Sequence, residues 1–118
     1  MDKTQLKTAV CAEIDARRGE IIDIGRTILN NPEFGFKEVK TAALVKEVMT
    51  ACGIPYQDGL AITGVKGRLK GAKPGPSVAV LGELDAVACP THSLADPLTG
   101  AAHACGHNAQ VASMLGVA

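Results

Sequence analysis

The apolar positions along the chain change rhythm twice. In the N-terminal third, Leu6, Val10, Ile14, Ile21, Ile24 and Ile28 recur mostly at steps of three, four and seven, while Asp15, Arg17, Arg18 and Glu20 lie off that stripe. Such a period predicts helix with one apolar face. Gly19 and Gly25 each cost about 1 kcal/mol against Ala in a helix interior, so a break or bend is expected near Gly19. Pro32, in "NNPEFG", disfavours helical geometry at Asn31 and ends the run. A second helix is predicted from about Lys37 to Cys52, with Thr41, Leu44, Val45, Val48 and Cys52 on one face. Gly53 then supplies a left-handed residue past its end, and Pro55 prevents continuation.

From Ile62 to Lys70 the period becomes two: Val65, Gly67 and Leu69 alternate with Lys66, Arg68 and Lys70, which predicts a half-exposed strand. "GAKPGP" is turn-forming by composition. "SVAVLG", residues 77–82, is a short unbroken apolar run between turn signals and is expected to be a strand buried on both faces. Residues 82–104 have no period and predict a loop, of a length that is uncommon unless it is functional. Helical character returns in "HNAQVASMLGVA", and the chain stops on an apolar residue within it. The expectation is an α/β protein: N-terminal helices, then strands of a mainly parallel sheet. An open sheet edge and an uncapped last helix make residues 1–118 read as an incomplete part of one domain.

Composition narrows the classes. Twelve basic and twelve acidic side chains cancel, which gives no electrostatic case for nucleic acid or an anionic membrane surface. Aromatic residues make up 3% with no Trp, too few for base stacking. No apolar run approaches the roughly 20 residues of a membrane span, and the charged N-terminus is not a secretory signal. The four cysteines are scattered, so free thiols or a metal ligand are expected rather than disulfides, in a cytoplasmic protein. Cys11 and Cys52 are expected to be buried, inert thiols on or near apolar helix faces, and Cys89 has no assignable role.

Two stretches carry candidate chemistry. "GELDAV" follows the predicted buried strand, where α/β folds place binding groups. Glu83 and Asp85, two apart, would point to opposite sides of an extended backbone, one toward a site and one toward a structural bond; a solvated acidic turn reads equally well. In "HACGHN", Cys105 and His107 converge on one ion if the backbone turns at the loop-to-helix junction, and Gly106 permits that turn. A thiolate with a neutral imidazole suits zinc or a similar borderline metal, but a catalytic zinc wants three protein ligands. His103 is a third ligand, a partner that orients a ligand, or a loop histidine, and spacing does not choose. The bland alternative for the cluster is a small-residue turn with incidental Cys and His. His92, in "PTHSLADP", reads as a solvent-exposed loop imidazole.

"NPEFGFKEVKTA", "TGVKGRL", "GELDAV" and "HACGHNAQVASMLGVA", in this order and spacing, resemble the N-terminal part of the metal-dependent amidohydrolases of peptidase family M-twenty. That family includes hippurate, indole-acetyl-amino-acid and aminobenzoyl-glutamate hydrolases within the wider aminoacylase and carboxypeptidase group. The resemblance covers about residues 20–118. It implies the N-terminal portion of a zinc-peptidase-like three-layer α/β/α catalytic domain. It also implies a divalent metal, zinc or manganese, as one ion or two, that activates water to hydrolyse the amide of an N-acyl-amino acid, an aminobenzoyl-glutamate-like compound or a dipeptide. Cys105 and His107 match the family's metal ligands, Asp85 matches a carboxylate that orients a ligand, and Glu83 the acidic position before it. Asn108 stands where many members have Asp, and Pro90 comes later than the family's proline. The family's general base and remaining ligands lie further downstream than Ala118, so no catalytic residue is expected in this chain, which by itself would be inactive. The other readings are a non-catalytic remnant that binds a partner, and a zinc-stabilised structural domain, disfavoured because only two strong ligands are in view. A small-molecule amide is the expected partner of the intact enzyme, and a homo-oligomer is left open.

Overall fold

The computed structural model describes residues 1–118 as a mixed α/β chain of four helices and two short antiparallel ladders. Helix α1 spans Lys3–Ala16 and opens with a capping box. Asp2 Oδ1 accepts from the backbone N–H groups of Thr4 and Gln5 at 2.8 and 2.9 Å, and Gln5 Oε1 accepts from Asp2 N at 2.9 Å. The expected break falls at Arg17, two residues before Gly19, where φ −97° and ψ 10° leave helical geometry. Helix α2 then runs Arg18–Leu29, and its end agrees with the stop signal at Pro32. Arg17 spans the break, its guanidinium 2.6 Å from Glu13 and 3.7 Å from Glu20.

The apolar stripe has two fates. In α2 it buries Gly25 and Ile28, but α1 buries nothing: Leu6, Val10 and Ile14 are each about half exposed. Cys11, on this helix, is exposed and not a core thiol. Cys52 is exposed as well, because it caps the C-terminus of helix α3 (Val39–Ala51), beyond the core-facing turns. That helix buries Thr41, Ala42, Val45 and Met49, a face turned slightly from the expected one, since Leu44 and Val48 are only half-buried. Gly53 has the expected left-handed φ of 67°. Ile28, Val45, Met49, Ile54, Val111 and Leu115 form the core. Helices α2 and α4 (His107–Leu115) meet at small residues: a Cβ on Gly25 would lie 3.3 Å from Ala112 Cβ.

The sheet differs from the expectation. Strand β1 (Tyr56–Leu60) pairs antiparallel with β2 (Gly64–Gly67), so the period-two run is a hairpin arm shorter than predicted, and Ile62 sits in the turn. "SVAVLG" forms no strand: Val78 and Leu81 are 88% and 87% exposed, not buried on two faces. A parallel strand needs neighbours to take its backbone hydrogen bonds. None of residues 1–118 runs beside this segment in a ladder, and Pro74 and Pro76 before it cannot donate. The predicted loop at 82–104 contains a second ladder, β3 (Val87–Ala88) with β4 (Ala101–Ala102). The expected mainly parallel sheet is therefore not formed by these residues; the parallel pairing present is an isolated bridge, Phe34 to Ala86. Helix α4 is present as expected but closes at Leu115, with Gly116 capping it. No helix is long and apolar enough to cross a membrane.

Candidate functional site

The site is assembled where three backbone segments meet: Glu33–Gly35, Glu83–Ala86 and the start of α4. Glu33 fixes the first of these twice. Its carboxylate accepts from Lys40 N at 2.9 Å, Thr41 N at 2.9 Å and Thr41 Oγ1 at 3.0 Å, capping α3, whose own N-cap residue Glu38 makes no side-chain cap. Its backbone carbonyl accepts from Ala86 N at 2.8 Å, which brings "GELDAV" alongside "PEFGF". Gly35 lies against Asp85 here: a Cβ on it would stand 3.9 Å from Asp85 Cβ, in ordinary contact.

Glu83 and Asp85 both reach His107, from the two ends of its ring. His107 Nδ1 lies 2.9 Å from Asp85 O and 3.0 Å from Asp85 Oδ1, and Nε2 lies 3.0 Å from Glu83 Oε2. The imidazole is 15% exposed and held at three contacts, so its plane is set before any ligand arrives. Glu83 is held in turn by Gln110, whose Nε2 donates to Glu83 Oε2 at 3.3 Å and whose Oε1 accepts from Glu83 N at 3.2 Å. Gln110 lies one helical turn beyond His107 on the same helix. The period-3.6 reading of α4 would have placed the two on one face, but nothing in the sequence marked it for Glu83.

Gly106 has φ 95°, a left-handed turn between the thiol and the imidazole that only glycine adopts without strain. Its missing Cβ would meet nothing within 4 Å, so conformation, not space, demands glycine here. Cys105 is exposed and free. His103 is the opposite: 5% exposed, with neither ring nitrogen partnered. Burial lowers its pKa, helped by the proximity of His107 and opposed by Asp85 and Glu33, which disfavours the protonated ring.

A thiol and an oriented imidazole fit a borderline divalent metal in chemistry, and His103, two residues before Cys105, is buried with both ring nitrogens unpartnered. The structure gathers no group of three or more His, Cys, Asp or Glu side chains placed to hold an ion. His92 stands apart: half-buried, it accepts through Nδ1 from Leu94 N at 3.1 Å and serves its own turn. Asn108, at the variable end of the motif, donates to Gly25 O at 3.3 Å and ties α4 to α2.

Comparison with known proteins gives several relatives. The chain is 39% identical to Thermostable carboxypeptidase 2 of Saccharolobus solfataricus across 81% of its own length and 25% of the relative's. It is 36% identical to IAA-amino acid hydrolase ILR1-like 5 of Arabidopsis thaliana, across 83% of this chain and 23% of that protein. It is 33% identical to N-acyl-L-amino acid amidohydrolase of Geobacillus stearothermophilus across 100% of this chain and 32% of the relative. The chain thus spans 23–32% of the length of these relatives. No family model and no solved structure matches it.

Proposed function

From a chain that belongs to the family of metal-dependent amidohydrolases and carboxypeptidases to which these relatives belong, we propose that residues 1–118 supply part of the metal centre of an enzyme that hydrolyses amide bonds. The substrates are N-acyl-amino acids or dipeptide-like amides. These residues are the N-terminal portion of a three-layer zinc-peptidase-like domain. Cys105 and His107 hold a divalent ion, zinc or manganese. When bound, such an ion contributes Lewis acidity toward an amide carbonyl and a water molecule.

The side chains of this chain have narrower tasks. Asp85, through its carboxylate and its carbonyl oxygen, fixes His107 at Nδ1 and so directs Nε2. Glu83 occupies the Nε2 side at 3.0 Å and is steadied by Gln110, placing negative charge where a cation is to be attracted. Gly106 sets the thiol and the ring on either side of one turn. No general base is assigned among residues 1–118, and the isolated chain is expected to be inactive.

The observation that carries this reading is the imidazole of His107, oriented by Asp85 beside a free, exposed thiol. Metal content after dialysis against zinc or manganese tests it. Cys105→Ser and His107→Ala should each lower bound metal strongly, while His92→Ala should not. Unchanged stoichiometry in both ligand variants sinks the metal assignment. Hydrolysis of an N-acyl amino acid by the 118-residue chain, abolished by Cys105→Ala, would overturn the expectation of inactivity while keeping the site.

A further inference from the structure

Backbone strain in this chain collects away from the His107 cluster. All three non-glycine residues with positive φ, Phe36 at 64°, Ala61 at 45° and Ile62 at 82°, lie in two loops, the approach to α3 and the β1–β2 turn. Gly59, with φ 68°, sits beside a register shift in the same hairpin. Thr63 Oγ1 donates to Glu38 Oε2 at 2.6 Å, locking the two loops together through a carboxylate that is 6% exposed. Left-handed geometry at an aromatic and a β-branched residue costs on the order of 1–3 kcal/mol each and persists where surrounding contacts impose it, commonly at ligand clamps. Bulges likewise recur beside binding sites.

Between helix α3 and the β1–β2 hairpin is a cleft of about 210 Å³. Val39, Ala42, Ile62 and Val65 form its apolar walls, and Lys46 and Asp58 lie at its edge. Val39 and Ile62 are each 70% exposed, an apolar surface held open. Lys46 Nζ donates to Asp58 Oδ2 at 3.0 Å, which uses one of three ammonium protons and one carboxylate oxygen. The remaining two protons and Asp58 Oδ1 have no protein partner. The cleft therefore offers an aliphatic slot, a donor for a carboxylate and an acceptor for an ammonium, side by side. Its volume is below the roughly 300–1,000 Å³ of drug-sized ligand sites and cannot seat a helix.

We propose that this cleft binds a small aliphatic α-amino acid, with its carboxylate on Lys46, its ammonium on Asp58 and its side chain between Val39 and Ile62. The pairing is complementary in both charges, and no metal takes part. The site thus shares no residue with the Cys105–His107 cluster.

The test is titration of the 118-residue chain, without added metal, with L-leucine, N-acetyl-leucine and leucinamide, followed by calorimetry and by amide chemical shifts. Leucine should bind saturably and shift amides in α3 and the β1–β2 hairpin. Blocking either end group should weaken binding about tenfold or more, the loss expected for one charge-assisted contact. Lys46→Met and Asp58→Asn should do the same while keeping the helical circular dichroism of the parent, since both side chains are at the surface. Absence of saturable binding by the folded parent overturns the proposal. So does equal binding of the three compounds, or indifference to both substitutions. A second arm with Cys105→Ser separates the two sites: with no metal present it should leave leucine binding unchanged, and a loss there would place Cys105 in the leucine site and overturn the assignment.

Discussion

Replacing Glu33 by Ala removes the cap of α3 without touching the core. Three hydrogen bonds to its carboxylate vanish, from Lys40 N, Thr41 N and Thr41 Oγ1. Loss of an N-cap costs about 0.5–2 kcal/mol. Thr41 is 2% exposed, so its hydroxyl is left in an apolar setting, at a further cost of roughly 1–3 kcal/mol. These overlap, and we expect about 2–4 kcal/mol in total, a large share of the 5–15 kcal/mol of a typical domain. At this chain length the loss corresponds to a melting temperature lower by roughly 8–15 °C. Thermal and urea unfolding monitored at 222 nm would measure it. Glu33→Gln retains one acceptor oxygen but turns an amide N–H₂ toward donors, so it should fall between the parent and Glu33→Ala. A loss below about 0.5 kcal/mol for Glu33→Ala would refute the reasoning, because α3 would then be capped by other means.

Asp96 Oδ1 accepts from Leu98 N, Thr99 N and Thr99 Oγ1, and these bonds, Thr99 N first, hold its carboxyl below the usual range. A depressed carboxyl contributes stability at pH above its unfolded value and loses it as pH falls through its folded one. The difference in melting temperature between the parent and Asp96→Ala should therefore be present at neutral pH and shrink in strong acid; a difference independent of pH would show that charge is not involved. Val78 and Leu81 are 88% and 87% exposed in a chain with only 16 of 118 residues buried, which leaves a continuous apolar segment in water. We expect self-association in sizing chromatography, relieved by Val78→Asp with Leu81→Asp. A sharp monomer peak for the parent would contradict this.

What the sequence disclosed divides along the range of the forces involved. Helices α2, α3 and α4 were legible because their periods, Pro32, Gly53 and Pro55 act within a turn or two. "SVAVLG" misleads because a short apolar run between turn signals states only a preference, while a strand needs a partner, and no strand pairs with it here. "YQDGL" was missed for the converse reason: Asp58 and Gly59 are poor strand formers, yet pairing with Gly64–Gly67 and a bulge hold them there. In the site, "GELDAV" and "HACGHN" stood out through residue type, but the reach of both carboxylates to one imidazole depends on tertiary placement. The capping of α3 by Glu33, from outside the helix, was hidden because a cap at that distance depends on how the loop folds back.

Glu33 faces two ways, and this has a mechanical consequence. Its carboxylate holds the first turn of α3, its carbonyl holds Ala86, and the residue before Ala86 holds the ring of His107. A displacement of that first turn can thus travel to the imidazole along consecutive hydrogen bonds, without passing through the apolar core. Val39, which opens the helix, is also a wall of the strained cleft. A molecule that shifted this turn would thereby bear on the ring, and by reciprocity an ion that tightened the ring would bear on the cleft by the same factor. The loop before α3 is, in that sense, a lever with one arm in each place.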